Sequence, residues 1–155
     1  DDYNSLPKKV IRAYEAVHNQ FHFQYIFKTD DDQDLIRPAF FDTLIKLLTT
    51  QNKQNTIKHY GGHIIDIQQN YLSQYHKIHP ELPAYLPMLK CKYCTGRFYF
   101  LSVCAVELLL QRKNKRAIEN HCIEDYIVGH CLTATANPQI VPLQINTHVI
   151  FKDIV

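Results

Sequence analysis

The sequence predicts an α/β layer fold, and three observations carry that expectation. Strand-like and helix-like segments alternate along the chain. Its 155 residues, 46% apolar and 21% charged, are enough to enclose one buried core. No internal repeat, low-complexity tract or shift in composition marks a second unit, so a single domain over residues 1–155 is expected.

Taken in order, "SLPKKVIRAYEAVH" offers Ser5 as a helix cap and Pro7 for the first turn, with Val10, Ile11, Tyr14 and Val17 at helical spacing. A helix over about 5–18 follows. "FHFQYIFK" is aromatic and β-branched over a short length and reads as a buried strand ending at Asp30, Asp31 and Asp32. "PAFFDTLIKLL", 38–48, starts on proline and places its apolar residues on one helical face; the polar "TTQNKQNT" after it reads as a loop. "IKHYGGHIIDI" is strand material around a turn or bulge at Gly61-Gly62. "HPELPAYLP" holds three of the seven prolines and is expected to be an extended loop. "RFYFLS" reads as a strand, "SVCAVELLLQRK" as a helix, and "IEDYIVGHCL" as a helix with its acids at the positive end. "QIVPLQINTHVIF" completes the set as a last strand with an edge or bulge at Pro142.

A formal charge of +2 gives no argument for a nucleic-acid partner. No apolar run reaches the roughly 18 residues of a membrane span, and "DDYNSLPKK" is unlike a signal peptide, so the chain is expected to be soluble, with no span of its own. Five cysteines are an odd number, which rules out a fully paired intramolecular disulfide set and leaves the compartment open.

Three consecutive aspartates repel one another at neutral pH. In an extended chain Asp30 and Asp32 point to the same side and offer oxygens to one hard cation; the alternative is a solvated acidic loop with Lys28 and Arg37 as counter-charges. Glu124 and Asp125 form a second acidic pair, suited either to proton abstraction beside a substrate or to the dipole of a helix N-terminus. Cys91 and Cys94 have zinc-ligand spacing, which keeps a zinc-stabilised interaction domain as a rival. His148 carries weight only in combination, and Tyr93, Phe98, Tyr99 and Phe100 read as core rather than as a sugar platform.

In order, "DDYNSLPKKVIRAYEAV", "YIFKTDDD", "HYGGHIID", "KYCTGRFYFLS", "EDYIVGHCL" and "THVIF" resemble the block series of the β-1,3-glycosyltransferase family, the galactosyltransferase and fringe relatives. The family's corresponding segments include K-T-D-D-D, Y-C-S-G-x-G-Y-x-L-S and E-D-V-Y-V-G. The resemblance implies a GT-A-type, Rossmann-like mixed sheet flanked by helices. Family domains carry further nucleotide-binding strands before the first block, so the chain is expected to be the C-terminal two-thirds of such a domain.

The resemblance also implies an activity: inverting transfer of a galactose- or N-acetylglucosamine-type hexose from a UDP-sugar to a hydroxyl of a glycan, glycoprotein or glycolipid. Asp30, Asp32 and His148, which lies 23 residues after Asp125, would hold manganese or magnesium. Asp125 would be the general base with Glu124 as neighbour or substitute, and Lys28, Asp30, Asp31, Gly61, Gly62, Gly96 and Tyr99 would shape the donor and acceptor sites. Departures stand beside these matches: "QDLI" follows the aspartates where V-F-V-N is common, Arg97 replaces a small residue, and tryptophan is absent. A non-catalytic, glycosyltransferase-like binding module is the alternative. The resemblance is compatible with a lumenal protein anchored outside this chain or with a cytoplasmic one.

Overall fold

A computed structural model describes residues 5–53, 57–112, 121–134 and 140–154. Its centre is β6, Cys91–Ser102, the longest strand of a four-stranded sheet. β6 runs antiparallel to β1 (Tyr25–Thr29) on one side and to β3 (Tyr60–Ile67) on the other; β3 in turn pairs in parallel with β7, Leu143–Gln144. The sheet is therefore mixed, as expected. A ribbon of β2 (Gln33–Leu35) with β8 (Phe151–Asp153) and a hairpin of β4 (Tyr71–Ser73) with β5 (Leu86–Met88) flank it.

The alternation "FYFL" in β6 divides the core, because successive side chains of a strand face opposite ways. Tyr99 and Leu101 pack with α1 (Leu6–Gln20), α3 (Val103–Arg112) and α4 (Glu124–Thr133), through Ile11, Tyr14, Val106, Leu109 and Leu132 among others. Phe98 and Phe100 pack with Leu44 and Leu48 of α2 (Phe40–Lys53) and with Phe151 of β8. On that second face Phe98 stacks on Phe151, with ring centres 5.4 Å apart, and meets Phe40 edge-on at 5.1 Å.

Several boundaries depart from the sequence expectation for identifiable reasons. Ser5 stands at the N-cap of α1 but makes no side-chain cap bond there; the helix starts with Pro7 in its first turn and buries Pro7, Ile11 and Tyr14. α2 starts two residues later than expected and runs on through "TTQNK", read as loop. The hydroxyls of Thr49 and Thr50 donate to the carbonyls of Ile45 and Lys46, which satisfies them inside the helix; residues 54–56 of that stretch lie outside the described residues.

The proline-rich "HPELPAYLP" is not wholly loop: it turns at Tyr85, whose φ of 62° is left-handed, into β5. The single last strand is instead divided. After Pro142 only Leu143 and Gln144 join the main sheet; a turn of 3₁₀ helix, Thr147–Val149, then carries the chain to β8, which pairs with β2. Gly61 and Gly62 form no turn but lie inside β3. The irregularity expected there lies across the ladder: Gly62 pairs with Tyr99 and Ile64 with Cys94, so β6 spends more residues than β3 over that interval, and Thr95, Gly96 and Arg97 bulge outward.

Candidate active site

That bulge sits where β1 ends and α4 begins. Lys28 and Asp30 come from the end of β1, Gly96 from the bulge, and Glu124 and Asp125 from the first turn of α4. All of them line one cleft of ≈ 380 Å³. The expected carboxylates from two distant parts of the sequence thus meet around one lysine.

Glu124 and Asp125 are adjacent in sequence and differ in setting. Glu124 is buried, with its side chain 4% exposed; it accepts the Tyr99 hydroxyl and lies 3.2 Å from the Lys28 ammonium. Tyr99 is itself fully buried and in hydrogen-bond contact with the Tyr14 hydroxyl at 2.6 Å. Tyr99 therefore holds Glu124 from behind rather than lining the cleft, which departs from its expected place in the pocket. Lys28 also donates to Asp30 and, at 3.2 Å, to the carbonyl of Gly96. Burial by itself would lower this ammonium, but Glu124 and Asp30 outweigh it and hold its pKa above the ordinary lysine value.

Asp125 turns into the cleft. Its Oδ2 accepts the Gly96 N–H at 2.9 Å and its Oδ1 the Tyr126 N–H at 2.7 Å. Burial, reinforced by the neighbouring Glu124, raises its pKa from 3.8 to about 7, against the opposing pull of those two N–H groups and of Lys28. A carboxyl that titrates near neutrality has the proton affinity that general base catalysis needs.

Two glycines set these distances. A Cβ at Gly96 would stand 2.9 Å from Asp30 Oδ2 and 3.3 Å from Lys28 Nζ, so the bare backbone makes room for that pair. Gly129 was not singled out by sequence reasoning. A Cβ there would stand 2.2 Å from the Cβ of Tyr93, so glycine lets α4 rest directly on β6 and fixes the depth of Asp125. The other two expected pocket glycines are not at the cleft. Gly61 and Gly62 are buried in β3, where a Cβ would meet Phe100 Cε1 at 2.5 Å and the Phe98 carbonyl at 2.6 Å; they serve sheet packing.

The aspartates do not continue β1 as an extended strand: Asp31 and Asp32 form the exposed turn between β1 and β2. Gln33 Nε2 donates to Asp32 Oδ1 at 2.9 Å and to Asp153 Oδ1 at 2.8 Å. Asp153 also pairs with Arg97 at 2.8 Å, so the arginine that departs from the family pattern ties the bulge to β8. His148 is exposed and meets His63 edge-on, ring centres 4.6 Å apart. Among the described residues no group of three or more His, Cys, Asp or Glu is close enough to hold one ion. Arg37, a candidate counter-charge for the aspartates, donates instead to the Val149 carbonyl at 3.3 Å.

Cys91 and Cys94 lie buried within β6, and burial is the main force pushing both thiols up to about 12. Among the described residues neither belongs to a group of three or more His, Cys, Asp or Glu, so the zinc reading finds no further ligands there.

Tyr71, Tyr75, His79 and Tyr93 also line the cleft. Sequence reasoning took Tyr93 for core and passed over Tyr71, Tyr75 and His79. The recurrence of Tyr71, Tyr75 and His79 at every fourth residue was the available signal.

The family model for galactosyltransferases matches residues 1–140, which takes in β1, the aspartates, the bulge and α4. The chain belongs to the galactosyltransferase family. A search of the curated proteins gives no match. Membership gives glycosyl transfer as the general chemistry, with a sugar donor and a glycan acceptor as reactants. The family match stops short of β7, β8 and His148. Among the described residues no helix is long and apolar enough to cross a membrane.

Proposed function

We propose that this galactosyltransferase-family protein is a metal-dependent, inverting hexosyltransferase. It moves a galactose- or N-acetylglucosamine-type sugar from a UDP-sugar to an acceptor hydroxyl, with Asp125 as general base. The observation that supports this reading most is Asp125 itself, fixed by two backbone N–H groups and raised to about 7 in a cleft it shares with Lys28 and Asp30.

The chemistry follows from where charge must go. As the acceptor oxygen bonds to the anomeric carbon and the bond to the UDP oxygen breaks, the hydroxyl proton passes to the Asp125 carboxylate. Glu124, already satisfied by Tyr99 and Lys28, keeps Lys28 charged on the donor side. Asp31 and Asp32 lie exposed at the turn, and their hard oxygens suit manganese or magnesium. Asp30, Asp32 and His148 are the proposed ligands. A bound divalent cation would neutralise the diphosphate and so stabilise the leaving group.

The alternative, a sugar-binding module without catalysis, has one observation in its favour: the absence of a three-ligand cluster among the described residues. Calorimetry with UDP and manganese, paired with a sugar-transfer assay, separates the two. Manganese-dependent UDP binding, with transfer lost in both Asp32→Ala and Asp125→Ala, is expected. Undiminished transfer in both variants would sink the enzyme assignment, and no UDP binding at all would favour the module.

A further inference from the structure

We propose that Tyr71 and Tyr75 form an aromatic wall that stacks on the apolar face of the acceptor's terminal pyranose, placing its hydroxyl toward Asp125; this rests on the reading of the cleft as a glycosyl-transfer site. Both side chains are large aromatics left about half open, 48% and 53% exposed, yet they face a cavity rather than open surface. An exposed aromatic ring offers a flat apolar face that a ligand can cover, and tyrosine adds a hydroxyl for the sugar's polar edge.

The wall is braced. Tyr75 lies in a turn of 3₁₀ helix, and its ring stacks on His79 with centres 5.8 Å apart and planes within 7°. The His79 N–H donates to the Tyr75 carbonyl at 2.8 Å, and its ring nitrogen lies 3.3 Å from the Glu81 carboxylate. Tyr71 is held in β4 by its pairing with Met88 of β5. The Tyr75 ring is thus braced without a ligand, and the backbone of Tyr71 is fixed by its strand pair.

The wall is also continuous with the carboxylates. Tyr93 lines the same cleft as Tyr71, Tyr75 and Asp125, and it lies close against α4 at Gly129. A ring lying on Tyr71 and Tyr75 would occupy the cleft that Tyr93 and Asp125 also line. The cleft then has two unlike halves. Lys28 offers a positive charge for a diphosphate and Asp30 a proposed ligand for its cation, while the tyrosines offer a flat apolar surface, as a neutral pyranose requires.

Saturation-transfer NMR on the protein with methyl β-galactopyranoside and methyl β-N-acetylglucosaminide tests this without catalysis, with sorbitol as a polyol that lacks a ring face. The pyranosides should receive saturation through their C–H face and sorbitol should not. Tyr71→Ala and Tyr75→Ala should each weaken the response about tenfold, Tyr75→Phe should keep it, and Asp125→Asn should keep it while losing transfer. Unchanged pyranoside binding in both alanine variants, or no pyranoside binding to the native protein, would overturn the wall. Undiminished transfer by Asp125→Asn would instead overturn the assignment of the base and leave the wall standing on its binding data. Circular dichroism of each variant identifies loss of fold, and Tyr75→Phe retains the ring if an alanine variant does not fold.

Discussion

The Lys28 ammonium lies 3.2 Å from the Glu124 carboxylate, joining the end of β1 to the start of α4. Behind this pair the Tyr14 and Tyr99 hydroxyls run back to α1, and in front of it Lys28 reaches Asp30 and the carbonyl of Gly96. A line of polar groups from four separated segments, α1, β1, β6 and α4, thus fixes the cleft's charged half.

Breaking that line from one side should be costly. Glu124→Gln leaves a largely buried ammonium short of a partner, and a loss of about 3 kcal/mol in urea unfolding is expected. The paired variant Lys28→Met/Glu124→Gln should recover part of it, because neither charge then remains buried alone. A double-mutant cycle measures the coupling, and additive losses would show that the two groups do not interact.

Asp125→Asn preserves shape and removes the base. The rate of sugar transfer should fall about 10²–10⁴-fold. In the native protein kcat/KM should rise with pH through about 7 as the carboxyl ionises. A flat kcat/KM profile between pH 5.5 and 8 would contradict a base titrating there.

The same carboxyl gives a stability signature of opposite direction. Its folded pKa of about 7 lies above its ordinary value of 3.8, so the native state binds the extra proton in that interval. Its contribution to stability is fully present below pH 3.8 and is lost as pH rises to about 7. Urea unfolding of native and Asp125→Asn proteins across that window should show a downward slope with pH in the first that is absent from the second.

The glycines divide into two classes of outcome. Gly129→Ala forces a Cβ against Tyr93 and should cost about 1–3 kcal/mol by overpacking, seen as a lower Tm. Gly96→Ala meets the movable ends of Asp30 and Lys28 instead, so it should lower transfer activity more than Tm. Equal effects of both substitutions on Tm would contradict this division.

The sequence alone determined the alternation of elements and their chemistry. The 3.6-residue spacing of Ile11 and Tyr14, and the aromatic and β-branched runs of β1 and β6, are local signals, and local sterics and burial enforce them. The block series "KTDDD", "YCTG" and "EDYIVG" pointed to the family that the match over residues 1–140 then showed. What adjacent residues do was not legible. Nothing in "ED" says that Glu124 is neutralised by Lys28 and buried against Tyr99 while Asp125 faces the cleft. That difference arises because the β6 bulge brings the Gly96 N–H to one carboxylate, and the lysine at the end of β1 is brought to the other. Gly61 and Gly62 looked like pocket residues for the same reason that Gly129 was overlooked: a glycine's sequence position does not tell what its missing Cβ would touch. Charge partners and close approaches between segments up to about a hundred residues apart are properties of packing, and only the tertiary structure decided them.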